Sequence, residues 1–157
     1  MELVLVRIDN RLIHGQVATA WVLDKRIDHL VVANDAVAKN SMEKSVLKMA
    51  KPRTVKALDV LPVAEAANLL KFDKSKDRTM VVTRVPQDVK GLIDNGIKLT
   101  EVYVGNMHGA PGKVQLDRCV FADEEELKIF KEFNAAGIEL ISQMTPSSSR
   151  TELGKKL

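Results

Sequence analysis

Short runs rich in valine, isoleucine and leucine recur along the chain, and stretches with helical spacing separate most of them, which leaves few folds open. The strand-like runs cover residues 2–6, 29–33, 54–57, 79–83, 101–104, 119–122 and 138–141. Between them, Met42, Val46, Met49 and Ala50 fall on one helical face, with Asn40 as a cap, Glu43 three residues on and Pro52 just past the end. Asp59 can cap a helix reaching Leu70, because Pro62 is tolerated in a first turn. Pro86 and Gly96 bracket another helix, and Leu127, Ile129, Phe130, Phe133 and Ala136 form a stripe that Gly137 can end. Strands alternating with helices imply right-handed crossovers and an α/β fold. The expectation is three layers, with a mostly parallel open twisted sheet of about seven strands and helices on both faces. Segments 101–104 and 119–122 have no convincing helix between them, so one strand near an edge is expected to run antiparallel.

A chain of 157 residues suits a single domain over 1–157 with a sizeable core, and no linker or repeat divides it. The serines at 147–149 are the one low-complexity patch, just before a short polar tail. A net charge of +3 with 4% aromatic residues fits an acidic or phosphorylated partner but not a nucleic acid. The lone Cys119 rules out an intramolecular disulfide and a cysteine metal cluster; beside Val120 and Phe121 it reads as a small buried apolar residue. No segment is long and apolar enough to span a bilayer, and the N-terminus has no signal-peptide pattern, so a cytoplasmic location is expected.

Parallel strands share one carboxyl-terminal edge, where open α/β sheets bind ligands. Segments 9–15, 34–35, 83–84 and 105–108 are expected to gather there. The first of these belongs to Arg7-Ile8-Asp9-Asn10-Arg11-Leu12-Ile13-His14-Gly15-Gln16-Val17, which joins the first strand to a helix expected over 15–23. His14 would stand at the helix N-terminus, where free N–H groups and the helix dipole favour anions. Arg11 offers a planar fork that suits phosphate oxygens. An imidazole held there is a nucleophile for a phosphoryl group, and nearby positive charge favours the unprotonated form that attacks. Gly15 either lets the backbone approach a phosphate without a Cβ or serves a turn that needs a small residue. The plainer alternative is a surface or capping histidine beside a solvated arginine.

The string from Arg7 to Val17 resembles the active-site signature of the B component of mannose-family sugar phosphotransferase systems, the family of mannose, fructose, sorbose and N-acetylgalactosamine transporters. Val32-Ala33-Asn34-Asp35 and Val104-Gly105-Asn106-Met107 stand at comparable places, and the resemblance covers nearly the whole chain. It implies a phosphotransferase that needs no cofactor. The phosphoryl group would pass from a phosphohistidine of the IIA component to Nδ1 of His14, with Arg11 as its charge partner. From His14 it would reach a sugar held by the membrane components IIC and IID. Gly105-Asn106-Met107-His108 resembles the version found in members that handle amino sugars such as N-acetylgalactosamine. A homodimer is compatible with the sequence.

The neighbouring residues divide between chemistry and architecture. Asp9 is expected to orient Arg11 or His14, or to satisfy backbone donors in the turn. Asn10 and Gln16 are loop positions beside the phosphate. Asn34 and Asp35 serve either as site wall or as helix caps. Asn106 and His108 open onto the same edge, and His14 with His108 has no third ligand at a spacing that would hold a metal. Arg7, Arg84 and His108 are expected to ring a docking surface, with Ile13 and Met107 as its anchors if the contact is apolar. His29 reads as a surface residue. Two other functions compete. A nucleotide-binding α/β enzyme is opposed by the lack of a glycine-rich phosphate loop after the first strand. A non-catalytic binding or regulatory module would make His14 incidental.

Overall fold

The computed structural model describes residues 1–157. Its central strand is β1 (Glu2–Asp9), and the chain leads from it through α1 (Gly15–Lys25) to β2 (His29–Ala33). Two helices, α2 (Asp35–Ala38) and α3 (Ser41–Met49), lead on to β3 (Ala57–Leu61). Next come α4 (Val63–Phe72), β4 (Arg78–Thr83), α5 (Pro86–Asp94) and β5 (Glu101–Asn106). A hairpin of β6 (Val114–Asp117) and β7 (Val120–Ala122) then precedes α6 (Glu124–Ala135) and β8 (Glu139–Ser142). A two-residue strand, β9 (Thr151–Glu152), and a short 3-10 turn, Leu153–Lys156, end the chain.

Seven strands form one sheet in the order β3-β2-β4-β1-β5-β8-β9, all parallel except β9. Connections toward β3 carry α1, α2 and α3 on one face, and connections toward β9 carry α4, α5 and α6 on the other, as right-handed crossovers require. Two apolar cores result. Trp21, Val22, Val37 and Leu47 pack with Leu5, Leu30 and Val32, whereas Ala66, Val89, Leu92, Phe130 and Phe133 pack with Val6, Ile8 and Val31. Adjacent strand residues thus serve opposite cores, and strands covered on both faces read as continuous apolar runs. This is the three-layer α/β fold expected.

Local signals behave largely as read. Asn40 Oδ1 accepts the Glu43 N–H at 3.0 Å, Pro86 opens α5, and α6 begins with a capping box between Asp123 and Glu126. Four details depart. Asp59 lies inside β3, where it bonds at 2.6 Å to Nε2 of His29, which is buried rather than at the surface, and the following helix starts only after Pro62. The strand there is therefore Ala57–Leu61 rather than 54–57. The antiparallel edge is β9, within what read as a polar tail and anchored by the fully buried Leu153. Segment 119–122 instead pairs with β6 outside the main sheet, and its turn leaves Cys119 half-exposed rather than buried. Finally, the apolar face of α3 points outward, and Leu47 is that helix's single buried residue.

Candidate functional site

The connection from β1 leaves on the α1 face, while those from its neighbours β4 and β5 leave on the opposite face. The crevice at such a switch point is the usual ligand site of open α/β sheets. The β1–α1 loop opens with a tight turn in which Leu12 N–H donates to the Asp9 carbonyl at 2.9 Å. Leu12 takes φ +61° and buries its side chain among Trp21 and its neighbours. A left-handed leucine costs about 1–3 kcal/mol, which the burial of that side chain offsets.

His14 occupies the cap position of α1 with φ −116° and ψ 95°. Its carbonyl accepts the N–H groups of Val17 and Ala18, but its exposed imidazole makes no hydrogen bond. Gly15 has φ +31°, and a Cβ there would meet nothing within 4 Å. Within the chain itself its requirement is therefore conformational, since the left-handed φ favours glycine. Gln16 is exposed in the first turn, and Ile13 is half-buried against the Trp21 core.

Asp9, only 1% exposed, is the hub beneath this loop. Its Oδ1 accepts from the Arg11 backbone N–H and Nε, both at 3.0 Å, and its Oδ2 accepts from Arg11 Nη2 at 2.9 Å. The two roles considered for Asp9, orienting Arg11 and satisfying the turn, are performed together. That hydrogen bonding holds the Arg11 guanidinium above its ordinary pKa. Arg11 Nη2 also lies 3.7 Å from Met144 Sδ, so Nη1 is the end left to a ligand.

Arg7 does not ring a docking surface. It is 2% exposed, with Nη1 donating to the Gln143 carbonyl at 2.7 Å and Nη2 to that of Met144 at 3.1 Å. Its guanidinium stacks 5.3 Å from the Trp21 ring and lies 3.7 Å from Asp9. Trp21 Nε1 donates to the same Met144 carbonyl at 2.9 Å. Burial pulls Arg7 down to about 10, still charged at neutral pH. A Cβ at Gly105 would sit 2.1 Å from Arg7 Nη2, so that glycine makes room for the buried fork. Nothing in the sequence singled out Gln143 or Met144, because what they offer Arg7 and Trp21 is backbone carbonyls that any residue could supply.

The loop after β5 joins the same cluster. Asn10 N–H donates to the Asn106 carbonyl at 2.8 Å, and Asn106 Nδ2 donates to Asn10 Oδ1. Asn10 Nδ2 is thereby the atom that meets Nδ1 of the exposed His108 at 2.6 Å. Met107 is 3% exposed within the α4–α6 core, so it cannot anchor a docking contact. Beside Arg11, a cavity of about 560 Å³ opens between Gly105, Arg118, Cys119, Gln143 and Met144.

The turns after β2 and β4 form a separate brace. Asn34 is buried, caps α2 through Val37 N–H at 3.0 Å, and donates to Asp88 Oδ2 at 3.0 Å. Asp88 also accepts the Arg84 and Val85 N–H groups, and burial raises its pKa. Asp35 accepts the Val63 N–H at 2.8 Å. Asn34 and Asp35 therefore resolve as caps. Arg84 stays partly exposed, 3.8 Å from Glu43. The four turns share one edge, where side-chain hydrogen bonds join 9–15 to 105–108, through the pairing of Asn10 with Asn106 and His108, and Asp88 links 34–35 to 83–84.

Fold and loop together define an open α/β protein that presents a free imidazole at its switch point. Residues 3–157 match the model of the PTS system sorbose subfamily IIB component, and the chain belongs to that family of sugar phosphotransferase components. The chain is 39% identical over 142 residues, 89% of its length, to the mannose-specific EIIAB component of Escherichia coli K12. It spans less than half of that relative, 43%. It is 30% identical, over 99% of both chains, to the N-acetylgalactosamine-specific phosphotransferase enzyme IIB component 2 of the same organism. The crystal structure of the IIB domain of the sorbose permease from Klebsiella pneumoniae superposes with a TM-score of 0.91 at 28% identity, covering 99% of this chain and 96% of that one.

Proposed function

We propose that this chain, as one IIB-type domain over 1–157, is a phosphocarrier that holds its phosphoryl group on His14. The observation that carries the reading is the exposed imidazole, bonded to nothing in its own chain, at the N-terminus of α1 and at the switch point of the sheet. The donor is the phosphohistidine of the IIA component. The lone pair of His14 Nδ1 attacks phosphorus, the new P–N bond forms as the donor's P–N bond breaks, and the donor imidazole leaves with the electron pair. In the second step a hydroxyl of the sugar bound by IIC and IID attacks phosphorus, the P–N bond breaks and the hydroxyl proton is released. Charge spreads over the phosphoryl oxygens in both transition states, so positioning and electrostatics supply the catalysis. No helix here is long and apolar enough to cross a membrane. The reading places the chain in the cytoplasm, reaching the membrane through its partners.

Incubation with a phosphorylated IIA component should give an acid-labile phosphate confined to the peptide that contains His14. Label on His29 or His108 would overturn the assignment. Arg11 has a part that only a guanidinium can fill, because it satisfies Asp9 through Nε and Nη2 and still has Nη1 to offer a phosphate. Arg11→Lys should keep the fold and slow phosphoryl exchange at least about tenfold, or ~1.4 kcal/mol. Unchanged exchange would reduce Arg11 to a loop brace.

A further inference from the structure

On α3, Met42, Val46 and Met49 are 76%, 61% and 86% exposed, the three most exposed apolar positions of any one helix. They lie at i, i+4 and i+7, one above another, on the side of the helix away from buried Leu47. Residues 39–53 around them carry Lys39, Lys44, Lys48, Lys51 and Arg53 against the single acid Glu43. Glu43 faces Arg84 at 3.8 Å, whereas none of those five cations has an ion-pair partner within 4.0 Å. An apolar ridge is left facing solvent with exposed Lys39, Lys48 and Arg53 around it, while Lys44 is half-buried on the reverse of the helix and Lys51 Nζ donates to the Val55 carbonyl.

We propose that this face of α3 binds directly to an anionic lipid surface. Exposed apolar side chains inserting at the headgroup boundary, with lysines reaching anionic headgroups, is the arrangement of an interfacial helix. A second copy of the chain fits poorly. Two-fold pairing along the ridge would set the lysines of one helix against those of the other, with only Glu43, which already faces Arg84, to oppose them. A fluid interface accepts a convex ridge with no matching groove. The ridge also starts from the sheet edge that carries His14, since β2 leads through α2 into α3 and Glu43 meets Arg84 beyond β4. The proposal stands independently of which residue carries the phosphoryl group.

The test is co-sedimentation of the full chain with phosphatidylcholine vesicles and with vesicles containing phosphatidylglycerol. Partitioning should be at least about tenfold stronger on the anionic vesicles and should weaken as salt rises. Met42→Ser/Val46→Ser/Met49→Ser and, separately, Lys48→Glu/Arg53→Glu should each reduce it by about tenfold or more, with thermal melts unchanged because these exposed positions support no core. Equal partitioning on both vesicle types, or full binding by the triple-serine variant, overturns the proposal. So does concentration-dependent self-association of the parent chain that the triple variant abolishes, which would assign the ridge to a second copy.

Discussion

A His14→Ala variant is expected to accept no phosphoryl group while melting like the parent protein. The imidazole is exposed and unbonded, so its removal takes nothing from the core, and surface changes of this kind cost within about 0.5 kcal/mol. A stronger version follows from the cap geometry. His14 has the extended backbone of an N-cap, but its side chain accepts no N–H from the first turn of α1. His14→Asp supplies that acceptor and should stabilise the protein by about 0.5–2 kcal/mol. Transfer should still be lost, by about a thousandfold or more, the scale on which a missing nucleophile is felt. Raised stability with no transfer is the signature of a position kept for chemistry at a cost to the fold. A His14→Ala chain that still passes phosphate, or one that unfolds, would remove His14 from this role.

Arg7→Ala should have the largest effect on stability. Removing one member of a buried, hydrogen-bonded charge pair costs about 3–5 kcal/mol, because the remaining groups lose their partner without regaining water. Here those groups are Asp9 and the carbonyls of Gln143 and Met144, and the Trp21 ring loses its stacked cation. At roughly 2–4 °C per kcal/mol for a domain of this size, the melting temperature should fall by roughly 10 °C. Asp9 would keep only Arg11, so exchange should slow even in the fraction that remains folded. A shift of a degree or two would show that the loop after β8 is held by other means.

How much of this could be read beforehand differs from element to element, for physical reasons. The strands His29–Ala33 and Arg78–Thr83 are covered on both faces, so their apolar runs are uninterrupted and their limits plain to within a residue. The third strand, at the sheet edge, alternates instead, with Leu58 and Val60 buried and Asp59 outward, and Pro62 just beyond made the segment resemble a helix start. β9 has two residues and depends on pairing with β8, which local pattern cannot show. The α3 stripe has helical spacing, but spacing alone does not say which side the rest of the protein occupies. Arg7 is the clearest limit at the site. In the sequence a buried arginine looks like an exposed one, and its partners at 143 and 144 are backbone carbonyls more than a hundred positions away. The order Arg11, His14, Gly15 was legible because its members are neighbours in the chain. Asn10 with His108 and Asn106 was not, because that contact exists only once β5 lies beside β1.

The solitary imidazole at the head of α1 also limits traffic. If His14 carries the phosphoryl group as proposed, a phosphohistidine donor and a sugar-bearing recipient must each reach the same ring atom, from outside, on the same edge of the sheet. Neither can be accommodated while the other is seated. A chain working in this way would serve them in turn, like a shuttle with a single seat, and the departure of the spent donor would be as much a part of the cycle as the chemistry. Affinity for either partner beyond what collision and alignment require would slow the whole uptake. Speed here favours contacts that let go.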